Sequence, residues 1–180
     1  MSNKEIERRF KITLNQKQEI IEALTKMGAE FIGENHQKDV YYEPNFKDYE
    51  INGETMEALR IRHENGNAVM CYKKIHRECD PIYCDEYESI VQDACQVEKM
   101  LFAFGFKVQI LIDKKRKSFS YENFEFDFDS VEGLGEFLEV ELKGDEADVG
   151  KIYDFVKPFG LSQNDATFDG IIKLMKNAGK

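Results

Sequence analysis

Charged side chains recur at every second position in several segments of this chain. Because the side chains of a β-strand alternate between two faces, this spacing places each group of charges on one face of a strand. The acidic groups are Glu86 with Glu88, Glu125 with Asp127 and Asp129, and Glu139 with Glu141; the basic groups are Arg60 with Arg62, Lys114 with Arg116, and Lys73; and Glu5, Glu7 and Arg9 combine both signs.

Two interpretations of these charged faces stay open at this point. In the first, the protein has two layers and the charged face of the sheet is simply solvated. In the second, the sheet closes into a barrel with the charges inside, where isolated charges are costly and need pairing, metal ions or an anionic ligand. Grouped carboxylates suit Mg²⁺ or Mn²⁺, and converging Arg and Lys suit a polyphosphate. The second interpretation therefore predicts a metal–triphosphate site.

The hydrophobic pattern predicts the elements that position these charges. We expect a mainly antiparallel α+β fold with about eight strands and three or four helices, the helices falling between and after the hairpins. The Asn-Gly pair at Asn65 predicts a hairpin turn, and Gly28 and Gly105 each predict a helix end. The expected strands are 3–13, 29–44, the hairpin 57–74, 82–91, two strands within 106–131 and 136–143, and the expected helices are 15–27, 92–104 and a helical tail from about 147.

Composition limits the classes of function. The 180 residues and 42% hydrophobic content suit one domain over residues 1–180 with a real core, and no linker or repeat divides the chain. A net charge of −10 argues against broad binding to nucleic acid or to an anionic membrane. Without a long apolar run or a signal-peptide pattern, we expect a cytoplasmic protein. The cysteines lack zinc-site spacing and are predicted to be reduced structural thiols, not ligands: Cys71, Cys79, Cys84 and Cys95.

Six short motifs follow one another along the chain. They are "EIERR", "ALRIR", "CYKK", "DEYES", "DKKRKSF" and "DSVEGLGEFLEVE", and together they span roughly residues 3–143. Their order resembles the CYTH superfamily of triphosphate tunnel metalloenzymes, and "EIERR" is similar to the family's ExExK signature, with Arg9 in place of the lysine. Because Arg cannot act as a base at ordinary pH, Arg9 keeps the charge of the family lysine but not every chemical role.

This resemblance implies a fold and a site. The implied fold is a closed eight-stranded, largely antiparallel β-barrel with helices packed outside. The implied cofactor is Mg²⁺ or Mn²⁺. The implied metal ligands are Glu5, Glu7, Asp129, Glu139 and Glu141; the implied substrate-binding residues are Arg9, Arg60, Arg62, Lys73, Lys114 and Arg116, with Arg9, Lys73 and Lys114 as catalytic residues; and Glu86 and Glu88 have no assigned role.

The resemblance also implies turnover of a small triphosphate such as ATP, tripolyphosphate or thiamine triphosphate. The segment "GAEFIGENHQKDVYY" looks like class IV adenylyl cyclases, which form cyclic AMP and pyrophosphate, and this activity is the first expectation. "EIERRF" looks more like tripolyphosphatases, so an inorganic or thiamine triphosphatase is the alternative, and a binding module without turnover is the second. A homodimer is expected from the resemblance alone.

A third class of protein is a lipocalin-like carrier, which is also an eight-stranded barrel. Its lumen would be apolar, whereas here we expect the apolar strand face to pack outward against helical residues such as Ile20, Leu24 and Phe102. The polar segment 45–55 is interpreted as ordinary surface, with a mobile loop near an entrance as the alternative.

Overall fold

This computed structural model describes residues 5–77, 83–144, 148–167 and 170–179, except for the side chains of Glu5 and Tyr83. Within these residues, eight long strands and three two-residue strands form, and we number them in chain order. The strands are β1 (Glu5–Ile12), β2 (Glu30–Pro44), β3 (Glu50–Ile51), β4 (Glu54–Thr55), β5 (Glu57–Glu64), β6 (Asn67–His76), β7 (Tyr83–Val91), β8 (Phe106–Tyr121), β9 (Phe124–Val131), β10 (Gly135–Lys143) and β11 (Ala166–Thr167). The expected number of long strands is thus confirmed.

Four α-helices accompany the strands in the described ranges. The helices are α1 (Leu14–Met27), α2 (Ala94–Ala103), α3 (Val149–Val156) and α4 (Ile171–Asn177), with 3₁₀ turns at Lys157–Phe159 and Gln163–Asp165. Helix α1 begins after Thr13, whose hydroxyl accepts a hydrogen bond from the Gln16 amide, and ends at Gly28 with a φ of 84°. Both ends lie within one residue of the prediction. No helix in the described part of the chain is long and apolar enough to cross a membrane.

The chain divides into two compact units. Unit 1 comprises Met1–Asn35 with Lys115–Phe168, and unit 2 comprises His36–Lys114 with Asp169–Lys180. The strands β2 and β8 each contribute one segment to each unit. The expectation of a single domain over residues 1–180 stays a prediction.

In unit 1, hydrogen bonds order the strands as β11-β1-β10-β9-β8-β2. The β1–β10 and β10–β9 pairs are antiparallel and place Glu139 opposite both Arg9 and Asp127. The other face of these strands forms a core with the inner side of α1, in which Phe10, Ile20 and Leu24 are fully buried. This core fixes the register that brings the charged residues of three strands side by side.

In unit 2, the order is β8-β2-β5-β6-β7. Antiparallel pairing places Asp39 opposite Arg62 and Gln37 opposite Glu64. The core here is built on Tyr42, Leu59 and Ile61, and Leu101 of α2 packs against it. Leu101 is the residue that α2 buries most, while Phe102 is half exposed and packs one side of its ring against Tyr42, with ring centroids 6.3 Å apart.

The strand order and the segment 45–55 bear on two expectations about the fold. In neither unit does the strand order close on itself among the described residues, so the structure supports a large antiparallel α+β sheet while the closed barrel stays a prediction. The segment 45–55 is not an unstructured loop, because β3 and β4 pair as a hairpin around Asn52 and Gly53.

Candidate functional site

An acidic cluster forms in unit 1 from Asp127, Asp129 and Glu139, and the guanidinium of Arg116 lies among the three carboxylates. Arg116 donates to Asp129 from Nε at 2.7 Å and from Nη2 at 2.6 Å, to Asp127 from Nη1 at 2.5 Å, and to Glu139 from Nη2. Arg9 donates to the other oxygen of Glu139 from Nε at 2.7 Å. Two guanidinium groups therefore face three carboxylates, which leaves one formal negative charge.

Burial and mutual charge set the protonation of this cluster. Burial alone would lower the pKa of Arg116, but Glu139 and Asp129 more than offset it and hold that pKa well above its ordinary value. Burial raises the pKa of Asp127, which the charge of Arg116 only partly opposes. The cluster thus keeps its arginines charged, while burial makes the ionised form of Asp127 energetically costly.

The other predicted metal ligands of unit 1 stand apart from this cluster. The Glu7 side chain is about half exposed, with its carboxylate 3.5 Å from Nη2 of Arg9. Glu141 pairs with Lys143 at 3.4 Å. The side chain of Glu5 lies outside the described part of the structure. Asp129 and Glu139 therefore meet at Arg116 together with Asp127, which the sequence interpretation did not assign to the site. Their role as metal ligands stays a prediction.

A basic face forms in unit 2 around the buried carboxylate of Asp39. Arg62 binds Asp39 at two points, Nε to Oδ1 at 2.7 Å and Nη2 to Oδ2 at 2.8 Å, and Nη1 of Arg60 lies 3.6 Å from Oδ2. Burial alone would raise the pKa of Asp39, but the hydrogen bonds from Arg62 and the charges of Arg60, Arg62 and Lys114 lower it. Asp39 thus holds predicted phosphate-binding residues in place.

Arg60 links this carboxylate to the acidic pair on β7. Its Nη2 lies 3.8 Å from Glu86 and 3.6 Å from Glu88, and Nζ of Lys73 lies 2.6 Å from Glu86. The Nε of Arg60 is buried and has no hydrogen-bond partner. A buried donor without a partner is expensive, so this face has spare capacity for an acceptor.

Three residues that could hold a metal ion lie on the same face. One ligand atom from each of Cys71, Glu86 and Glu88 falls within 4.8 Å of the others, close enough to share a metal ion, and no other described residues form such a group. The Cys71 thiol donates to Glu86 at 3.0 Å. Burial, aided by Glu86, raises the pKa of Cys71 to about 12, so the thiol is protonated. The prediction that cysteines are not ligands did not anticipate this group.

The residues that sequence interpretation missed are Asp39, Asp127, Cys71 and Gln37. Asp127 carried a visible signal, since it alternates with Asp129. Asp39 and Gln37 lie in the segment that resembles the cyclase strand, but their partners depend on the register between β2 and β5.

A cavity of about 320 Å³ lies at the end of the β5–β6 hairpin, with Glu64, Asn65 and Gly66 in its lining.

The fold and the charged clusters define an α+β protein whose antiparallel sheet gathers arginines, lysines and carboxylates on its strand faces. The chain belongs to the CYTH domain family, whose model matches residues 3–164. The predicted resemblance is thus confirmed.

Individual relatives agree with this assignment. The chain is 35% identical, over 136 residues that make up 76% of each chain, to the Methanocaldococcus jannaschii protein named "Putative adenylate cyclase MJ0240". It is 30% identical to the solved PH1012 protein of Pyrococcus horikoshii, with a TM-score of 0.78 and coverage of 94% and 98%. At 15% identity, the Hippeastrum protein HpAC1, for which a dominant triphosphatase activity is described, shares the fold with a TM-score of 0.68 over 99% and 96% of the two chains.

Proposed function

We propose that this protein is a metal-dependent enzyme that processes a small triphosphate, with an adenylyl cyclase-like reaction from ATP to cyclic AMP and pyrophosphate. The observation that carries the proposal is the buried, unpartnered Nε of Arg60 on a face that also holds Arg62, Lys73 and Lys114. Phosphate oxygens supply the acceptor that this donor lacks, and guanidinium and ammonium groups bind them by charge-assisted hydrogen bonds. Nothing in the proposal requires nucleic acid or a membrane.

The acidic cluster supports a divalent metal in the reaction. Two of the ligands implied by the family, Asp129 and Glu139, lie in it, and carboxylate oxygens suit a hard cation such as Mg²⁺ or Mn²⁺, which would have to displace Arg116. The described ligand atoms that already lie close enough to share an ion are those of Cys71, Glu86 and Glu88. Asp129 and Glu139 are the ligands with the best support, and Glu5, Glu7 and Glu141 stay as ligands implied by the family. In reactions of this class a bound divalent metal would neutralise charge on phosphoryl oxygens.

The protein's own cations act on the triphosphate in this proposal. Arg60 and Arg62, held by Asp39, orient the phosphates, and Lys73 and Lys114 stabilise the charge that develops as a phosphorus–oxygen bond breaks. Arg9 contributes charge only, since its guanidinium stays protonated beside Glu139. In the cyclase reaction the ribose 3′-oxygen bonds to the α-phosphorus, its proton is released, and pyrophosphate leaves.

A triphosphatase reaction is the second candidate function. Water would replace the ribose hydroxyl as nucleophile, and the same cations would stabilise the leaving group. The fold accommodates such an activity in the Hippeastrum protein, and the curated archaeal relative bears a cyclase name. The proposal keeps the closed tunnel, the cytoplasmic location and the homodimer as predictions.

The experiment that tests this proposal is product analysis. Purified protein is incubated with ATP, tripolyphosphate or thiamine triphosphate, with Mg²⁺ or Mn²⁺, and the products are resolved by chromatography. Cyclic AMP with pyrophosphate supports the cyclase, and orthophosphate supports the triphosphatase. Triphosphate binding without turnover would overturn the enzymatic part and leave a binding module. If no triphosphate binds, the whole proposal fails. If the Arg60→Ala variant binds and converts triphosphate as the native protein does, the observation that carries the proposal fails.

A further inference from the structure

Gln37 has a buried acceptor without a partner. The residue is only 4% exposed, and its amide nitrogen Nε2 donates to Oε2 of Glu64 at 2.9 Å. The amide oxygen Oε1 is buried and accepts no hydrogen bond. Most buried polar atoms of native proteins are satisfied, so an unsatisfied oxygen at this position needs an explanation.

The orientation of this amide is fixed by its neighbour. Rotating the amide by half a turn would place Oε1 against the carboxylate of Glu64, and two acceptors would then face each other. The amine group of Gln37 must therefore point to Glu64, and the oxygen must point elsewhere. The position offers an acceptor and nothing else to a further group.

The place of Gln37 on the basic face gives this acceptor its meaning. Gln37 stands opposite Glu64 in the β2–β5 register, and Asp39 stands opposite Arg62 two residues further along. Two residues of a strand span about 6.6 Å. Along this face the cationic end, with Arg60 and Arg62, is thus followed by the neutral amide of Gln37 and the carboxylate of Glu64. The negative charge of that carboxylate repels phosphate. A ligand with an anionic end and an uncharged or cationic end matches that order.

We propose that Gln37 binds an N–H donor on the heterocycle of an organic triphosphate, such as the exocyclic amine of adenine or of the thiamine aminopyrimidine. This inference rests on the proposed function and deepens it, since it makes an organic triphosphate the preferred substrate over inorganic tripolyphosphate. The carboxylate of Glu64 favours the same kind of donor.

The test compares affinities in native protein and in a Gln37→Met variant, measured by calorimetry in EDTA to prevent metal-dependent turnover. The ligands are ATP, purine riboside triphosphate (which has no exocyclic amine), thiamine triphosphate and tripolyphosphate. Losing the hydrogen bond should weaken ATP binding about tenfold, to the level of purine riboside triphosphate, and leave tripolyphosphate binding unchanged. The same loss for thiamine triphosphate, and not for ATP, would assign the site to the aminopyrimidine.

The matched control is Gln109→Met, because Nε2 of Gln109 also donates to a glutamate, Glu43, at 3.0 Å in the same unit. This variant should bind all four ligands as the native protein does. Equal binding of ATP and purine riboside triphosphate to native protein, unchanged in Gln37→Met, would overturn the inference while tripolyphosphate binding keeps the proposed function intact. If native protein binds no triphosphate either in EDTA or with Mg²⁺ supplied, the proposed function itself fails.

A measurement on the native protein covers the case in which Gln37→Met does not fold. The side-chain amide of Gln37 gives its own ¹⁵N–¹H signals, which the variant Gln37→Glu or selective labelling assigns. Adding ATP should shift these signals much more than adding tripolyphosphate does. Equal shifts with both ligands contradict a contact between Gln37 and the heterocycle.

Discussion

Arg62 and Asp39 form a two-point ion pair on the basic face of unit 2, with both N–O distances below 3 Å. Asp39 is only 2% exposed, and Arg60 approaches the same carboxylate. A bidentate pair fixes the plane of the guanidinium as well as its position. The carboxylate therefore orients a phosphate-binding residue before any ligand arrives.

Replacing Asp39 by Asn should destabilise the protein by about 1–3 kcal/mol, since Arg62 then loses its charged acceptor in a buried setting. The pKa of Asp39 is lowered in the folded state, so its contribution is fully present above its ordinary value near 4 and is lost as the pH falls through the lower folded value. The variant should thus lose less stability than native protein on acidification. Urea unfolding between about pH 2 and pH 7 measures both effects. Parallel pH curves for the two proteins would contradict this role.

Glu139→Gln should reduce metal-dependent turnover about 100-fold, because the substitution removes one carboxylate charge from the acidic cluster and keeps its size. The matched control is Glu136→Gln on the same strand, where the carboxylate binds Lys17 at 2.6 Å and Ser130 at 2.7 Å. Turnover by the control should stay within about twofold of native protein. Initial rates against Mg²⁺ or Mn²⁺ concentration measure the effect, and native activity in Glu139→Gln would remove this residue from the site.

Arg116→Ala should lower the free energy of unfolding by about 3–5 kcal/mol at neutral pH, because three carboxylates lose their shared cation. Burial already raises the pKa of Asp127, and the loss of Arg116 raises it further. A carboxyl whose pKa is raised on folding destabilises the protein as the pH rises through that pKa, so the deficit should shrink between pH 7.5 and pH 5. Thermal unfolding at both pH values measures it.

The control for this prediction is Lys107→Ala. Nζ of Lys107 lies 3.0 Å from Glu43, and the Lys107 side chain is 60% exposed. Exposed ion pairs contribute about 0–1 kcal/mol, so the control should lose little stability, and equally at both pH values. If Arg116→Ala loses the same stability at both pH values, repulsion between ionised carboxylates is not the cause of the loss.

Local signals in the sequence predicted the elements well. The ends of α1 follow from Thr13 and Gly28, whose preferences act within one turn of helix. The same local chemistry explains two further details. Asn52 and Gly53 both have positive φ, so an Asn-Gly turn signal accounts for the hairpin in the segment interpreted as ordinary surface. In α2, the packed residues Ala94, Val97 and Leu101 follow helical spacing, and Phe102 lies at the edge of that stripe, against Tyr42.

The candidate site was only partly predictable, because its partners are set by register between distant strands. Alternation placed Asp129 and Glu139 in acidic runs, and the family resemblance implied their role as ligands. It could not pair Arg116 with both, since that contact depends on how β8 and β9 align. Asp39 is a lone carboxylate in its segment, and only its position opposite Arg62 makes it a structural partner. A pattern on one strand therefore predicts residue types for a face, while the contacts on that face require the fold.

Cys71 should resist alkylation in the folded protein, although it lies beside the basic face. Its side chain is buried, and burial raises its pKa to about 12. At pH 8 the reactive thiolate is then about three orders of magnitude rarer than at an ordinary cysteine. Cys95 is exposed and serves as the internal control. Iodoacetamide should modify Cys95 within minutes and Cys71 only in urea, as peptide mass spectrometry would measure. Equal labelling of both residues would mean that the thiol near Glu86 is open and ionised, and the Cys71–Glu86 hydrogen bond would then have to be abandoned.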